Sequence, residues 1–95
     1  MKKPMVLTEH ARFRIHLRRI QREAIEKAMA HPVVEAIDTL TGYSIVVGKG
    51  LYGTTDRLLA VIYEETEHEI QIVSVHPIRV SQYRMRLQRG RWKPR

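Results

Sequence analysis

Cysteine is absent from the 95 residues, so neither a disulfide nor a thiolate-held metal site can be built; this suits a reducing cytosol without being confined to it. No stretch approaches the ~20 consecutive apolar residues of a membrane span. The opening MKKPMVLTEH has two lysines but no apolar core behind them, which argues against a secretory signal. A cytoplasmic chain with no membrane partner is therefore expected. The histidines, at positions 10, 16, 31, 68 and 76, lack metal-ligand spacing. A Cys nucleophile and a G-x-S-x-G elbow are both missing, which leaves hydrolase triads without support. The segment GKGLYGTTD lacks the Gly-Lys-Ser/Thr order of a phosphate loop and reads as a flexible connection over residues 48–56. No metal and no cofactor is expected.

Acidic residues are also missing from the last seventeen positions, which hold seven Lys/Arg. The net charge of +7 is unevenly spread: residues 1–31 carry +5, residues 32–78 carry −5 and residues 79–95 carry +7. Such a layout favours a polyanionic partner, most often nucleic acid. The alternative is a solvated basic surface, or a tail that docks on its own acidic sheet. With 43% hydrophobic residues the chain has enough apolar material to fold, and its length suits one domain. That domain is read as residues 1–95, with a core at 8–78 and a basic tail at 79–95.

The stretch from Arg57 to Arg79 predicts a strand, a polar turn and a second strand, because Leu58–Tyr63 and Ile70–Val75 are rich in β-branched and aromatic residues. A turn centred on Thr66 and Glu67 would pair Tyr63 with Ile70, Val61 with Ile72 and Arg57 with His76. Both faces of this hairpin are apolar and both need covering. One cover is expected from helices upstream, the other from the basic tail or a partner chain. Upstream, residues 2–7 read as a lead-in with a strand stub at Met5–Leu7. Thr8 then reads as the N-cap of a helix from Glu9 to about Arg18, with His10, Arg14 and Arg18 along one face. A second helix is expected over Glu23–Ala30, ended by Pro32. Strands are expected at Val33–Ile37 and Tyr43–Val47. In the tail, Ser81–Gln88 suits two helical turns, while Gly90 and Pro94 favour an extended end.

His10, Ala11, Arg14, Ile15, Arg18 and Ile20 match H-A-x-x-R-[M/I]-x-x-R-x-I, and QREAIEKAMAHP is similar to the helix that follows that pattern. With the LLAVIYEE…EIQIVSVHP hairpin, residues 8–78 resemble an uncharacterised family of small bacterial proteins grouped with the RelE/ParE-like toxin superfamily. Ser74 stands where Thr is usual in that hairpin. The resemblance implies an α+β fold: two N-terminal helices packed on a small, mainly antiparallel β-sheet, here with a basic C-terminal tail. It also implies a toxin or toxin relative of a toxin–antitoxin system: members of that superfamily include ribosome-dependent and free-standing endoribonucleases and gyrase-directed poisons, commonly neutralised by an antitoxin, so RNA or the ribosome is the expected target here and an acidic antitoxin the expected partner. Residues that carry activity vary widely in this superfamily, so the fold alone transfers no mechanism.

Metal-independent RNA cleavage needs a base for the 2′-hydroxyl, cations for the phosphate and an acid for the leaving oxygen, and His, Arg and Tyr can supply all of them. The candidate catalytic residues are His10, Arg14, Arg57 and His76. Candidates for nucleic-acid binding are Arg14, Arg18, Tyr83, Arg84, Arg86, Arg89, Arg91 and Trp92, a mixture of cations and aromatics that binds phosphate and stacks on bases. Each has a structural alternative. His10 can serve only the helix start, Arg14 and Arg18 can pair with Glu23 or Glu26, and His76 can simply finish a strand. Trp92 and Leu87 can fold back over the hairpin. Two further readings stand beside the toxin: a non-catalytic nucleic-acid-binding module, and a small interaction protein that forms a homodimer through an uncovered sheet face. The nucleic-acid readings require the helix-one cations and the basic tail to share one side of the molecule.

Overall fold

The apolar run Leu58–Tyr63 lies inside the longest strand of the fold, 11 residues from Thr55 to Glu65. The computed structural model describes residues 3–95; Lys2, at the start of the lead-in, lies outside them. In chain order the elements are β1 (Met5–Leu7), α1 (Glu9–Leu17), α2 (Arg22–Ala30), β2 (Pro32–Asp38), β3 (Ser44–Tyr52), β4 (Thr55–Glu65), β5 (Ile70–Pro77), α3 (Val80–Gln88) and β6 (Trp92–Pro94). The six strands form one sheet in the order β1-β5-β4-β3-β2-β6. Among the described residues only the β1–β5 pair is parallel. This is an α+β fold with a mostly antiparallel sheet.

Both faces of β4 are buried, as its lack of polar alternation requires. On one face Leu59, Val61 and Tyr63 join Val46, Ile72 and Val75 under α1 and α2, which contribute Ala11, Ile15, Ala24, Ile25 and Ala28. On the other face Ala60 joins Ala36, Ile45 and Val47 beneath Ile78, Tyr83 and Trp92. The basic tail therefore supplies the second cover. It turns through α3 and returns as β6, which pairs antiparallel with Ala36–Asp38 at the end of β2. The sheet face proposed for a homodimer is therefore largely covered by the chain's own tail.

Two sequence expectations are corrected here. Residues 48–56 are not a loop: β3 runs to Tyr52, the chain turns through Gly53 at φ +67, and β4 starts at Thr55. The glycines in β3 are there because α2 lies against them. A Cβ on Gly48 would stand 2.1 Å from the Ala28 carbonyl oxygen, and one on Gly50 would stand 2.6 Å from that of Ala24. The sequence shows loop-like composition where the fold needs a flat strand surface for close helix approach.

The β4–β5 register is the second correction. The loop is Thr66–Glu69, closed by the Thr66 N–H donating to the Glu69 carbonyl at 2.8 Å, while the Glu69 N–H donates to Thr66 Oγ1 at 3.1 Å. Tyr63 consequently faces Ile72, and Ala60 faces His76. The pairing shifts between Ile62 and Tyr63, where Val73 is the extra residue of a bulge. Arg57 faces Gly50 of β3 rather than His76. By strand alternation it shares the face of Leu59, opposite to that of His76.

β1 shields only Ile70–Ile72 of β5. Past that point the outer edge of β5 is closed by Arg18, the C-cap of α1, whose guanidinium donates to the Val75 carbonyl at 2.6 Å. Pro77 ends the strand without an N–H to offer.

Candidate functional site

α3 covers β2, β3 and part of β4 but leaves the β5 side of the second face open. The opening is a cleft of about 330 Å³. Ile62 of β4 and Val73, Ser74 and His76 of β5 make its floor, and Arg86, Arg91 and Trp92 make its wall. Asp38, Thr41 and Tyr43 of the β2–β3 turn close its end. A larger cavity of about 510 Å³ lies between β1, α2 and the start of β5. Its cations are engaged already: Lys3 pairs with Glu65 at 2.8 Å, and Arg22 donates to the Met5 carbonyl. The smaller cleft gathers a titratable group beside cations, and the chemistry is sought there.

His76 is half-buried. Burial, and then the guanidinium charges of Arg18 and Arg86, hold its imidazole below the ordinary value of 6.5, so the neutral form is favoured. The two arginines come from opposite layers, Arg18 from the end of α1 and Arg86 from α3. Arg86 lies over the Trp92 ring, 5.1 Å from its centroid, a cation–π contact that steadies the guanidinium at the wall. A neutral imidazole under the influence of two guanidinium charges can accept a proton while its surroundings attract an anion.

The opposite end of the cleft is held by Asp38. Its Oδ1 accepts hydrogen bonds from the Leu40 N–H at 2.8 Å, the Thr41 N–H at 3.1 Å and Arg91 Nε at 3.0 Å. Burial pushes this carboxyl up, but the Arg91 hydrogen bond, the Thr41 and Leu40 amides and the Arg91 charge outweigh it and hold the group below the usual carboxylate value. The Arg91 carbonyl in turn accepts the Thr39 N–H at 2.8 Å. Asp38 therefore fastens the returning tail to the sheet.

The sequence-predicted residues are scattered by the fold. His76, Arg86, Arg91 and Trp92 line the cleft, and Arg18 reaches the β5 edge beside it. His10 and Arg14 are exposed on α1, and among the described residues no side-chain hydrogen bond or ion pair ties them to His76. Arg57 is exposed at the far end of the sheet, 5.5 Å from the Tyr52 ring centroid. Tyr83 and Trp92 retain only 9% and 3% of their surface; they are core residues and cannot serve as open stacking platforms. Arg91 is bound to Asp38, while Arg84 and Arg89 are exposed.

The expectation that α1 and the tail present one cationic side is also corrected. α1 packs on the face opposite α3. Arg18 of α1 and Arg86 of α3 are the two cations whose charges act on His76. Sequence reasoning missed Asp38, Tyr43 and Ser74. Asp38 before Thr-Leu-Thr carries a turn signal, an Asx side chain that bonds amides downstream, but nothing local announces a partner 53 residues away. Among the described residues there is no cluster of His, Asp or Glu able to hold a metal, and no helix is long and apolar enough to cross a membrane. No family model, no curated protein and no solved structure matches the chain.

Proposed function

We propose that this protein binds RNA in the β5–α3 cleft and cleaves it without a metal, as a toxin-type endoribonuclease with the two-helix RelE/ParE-like arrangement. The reading is carried by one observation: His76 lines the cleft with Arg86 and is biased toward its neutral form by burial and by the charges of Arg18 and Arg86. In this scheme the His76 imidazole takes the 2′-hydroxyl proton, and the 2′-oxygen attacks phosphorus. Arg86 and Arg18 offset the charge on the non-bridging oxygens, and the leaving 5′-oxygen takes a proton from water admitted by the open cleft. Ribosome-bound message as the target and an acidic antitoxin as the restraint belong to the same proposal. They are supported by the resemblance of the α1 sequence.

A second reading is favoured by the exposed Arg84 and Arg89, which lie outside the cleft lining. It makes the protein a nucleic-acid-binding module that performs no chemistry. Single-stranded RNA incubated with the full chain in a chelator separates the two. Cleavage that disappears when the substrate is 2′-deoxy, and falls about 10²–10⁴-fold in His76→Ala, supports the enzyme. Binding without cleavage, with affinity that drops steeply with salt, rejects the enzyme and leaves the module.

A further inference from the structure

The larger cavity lies on the sheet face opposite the cleft, and none of its lining residues belongs to the cleft. Met5 of β1, Met29 of α2 and Ile70 of β5 line it. All three are half-buried and pack against the core beneath α1 and α2, so the cavity floor is an uncovered margin of that core. At about 510 Å³ it has the size of a small-molecule site, and its make-up is also that of one: an apolar concavity with a few polar groups around it. Two methionines give the floor a polarizable surface that adapts to more than one apolar shape.

Four charged side chains line the same cavity, and they divide into a closed pair and an open one. Lys3 and Glu65 are joined at 2.8 Å, and Lys3 also donates to the Thr66 carbonyl at 2.7 Å; this pair cancels its own charge. Arg22 and Glu26 are both exposed and stand one turn apart on α2, ~6 Å along the helix. Among the described residues no ion pair joins them to each other or to any other side chain. The bond from Arg22 to the Met5 carbonyl holds the guanidinium at the rim and leaves its charge uncompensated, because a carbonyl is neutral. The rim therefore offers one cation and one anion above an apolar floor. We propose that this cavity binds a free α-amino acid with a large apolar side chain, its carboxylate on Arg22, its ammonium on Glu26 and its side chain on Met5, Met29 and Ile70.

Charge selects this ligand. A fatty acid would satisfy Arg22 and set its own charge against Glu26, and an apolar amine would satisfy Glu26 and set its charge against Arg22. A nucleotide would bring surplus negative charge to both Glu26 and Glu65. The interior of a polypeptide carries neither terminal charge. A zwitterion answers both side chains at once, and in an α-amino acid the two charged groups share one carbon. Long side chains one turn apart on a helix are neighbours that can bracket such a pair, each through a charge-assisted hydrogen bond. The site is separate from the cleft, so the proposal stands whether or not the cleft cleaves RNA.

The test is calorimetric titration of the full chain with L-leucine, L-methionine and L-phenylalanine. Saturable binding is expected, with Kd between about 10 µM and 1 mM, since both charges at the rim are open to solvent. N-acetyl-L-leucine and L-leucine methyl ester each lack one charge, decanoate lacks the ammonium, and glycine lacks the side chain. Each should bind about tenfold more weakly or less. Glu26→Gln, at an exposed position without a partner, should leave thermal unfolding unchanged and abolish the preference for L-leucine over N-acetyl-L-leucine; Arg22→Gln should abolish the preference over the methyl ester. In amide-proton spectra L-leucine should move the Met29 and Ile70 resonances. Decanoate or N-acetyl-L-leucine binding as tightly as L-leucine, glycine equal to leucine, a preference untouched by Glu26→Gln, or no saturable binding of the three amino acids up to about 10 mM would each overturn the proposal.

Discussion

Two side chains at opposite ends of one cleft illustrate how position sets chemistry. His76 is half-buried and Asp38 buried, yet their neighbours push them toward opposite charge states. The charges of Arg18 and Arg86 act on an imidazole and discourage its proton, while Arg91 faces a carboxylate and discourages its protonation. For His76 the folded value lies below 6.5. The histidine therefore contributes stability that is present above 6.5 and lost as pH falls through the folded value, because the unfolded chain takes up the proton first. Urea unfolding measured across that interval should show stability falling toward acid in the wild type, with a flatter course in His76→Asn. If RNA is cleaved, the acid limb of kcat/KM should fall below 6.5, since the base stays neutral there. For Asp38 the folded value is lowered from 3.8, so its contribution is present above that value and is lost as pH falls through the folded one. Asp38→Ala strips three donors of their acceptor and should cost about 1–3 kcal/mol in denaturant unfolding at neutral pH. A smaller loss is expected in Asp38→Asn, which keeps an acceptor oxygen.

Among the elements, β3 is the one whose sequence and role look most at odds. Its glycines read as a loop, but they allow the backbone of α2 to lie on the sheet at Ala24 and Ala28. Small residues meet on both sides of that contact. Gly48→Ala should therefore destabilise by the upper part of the ~1–3 kcal/mol seen for overpacking or more, because backbone stands in the way of the new methyl group. Circular dichroism during urea unfolding would read the loss; a stability equal to wild type would show that α2 is not held at this distance. β5 teaches a different lesson. Its apolar run announced a strand, and β5 formed. Its partner residues were not announced, because a bulge at Val73 and a longer loop shift the ladder, and each single-residue shift exchanges the two faces. The suggested pairing of Arg57 with His76 failed for that reason. The reading of Ser81–Gln88 as a helix agrees closely with α3, and the extended end fits β6, since Gly90 and Pro94 act through local backbone geometry.

For the molecule as a whole, the tail is the deciding feature. Residues 79–95 hold no acid and look from composition like an appendage for a polyanion. In the fold they provide the second hydrophobic layer: Tyr83 and Trp92 sit on Ala36, Ile45, Val47 and Ala60, and Arg91 is fastened to Asp38. A chain ending at Ile78 should consequently lose native packing, exposing that apolar face and self-associating. Sedimentation and amide-proton dispersion would detect this, whereas a dispersed, monomeric spectrum would show the tail to be dispensable. The sequence by itself determined the two N-terminal helices, the apolar strands of the central hairpin, the helical tendency of the tail and the separation of charge into basic and acidic blocks. All of these follow from local propensity and composition. The register of the hairpin, the burial of Trp92, the joint action of Arg18 and Arg86 on His76 and the cavity lined by Met5, Met29 and Ile70 were decided only by tertiary structure, because each depends on which surfaces meet across the sheet, and short-range preferences carry no information about contacts between distant residues.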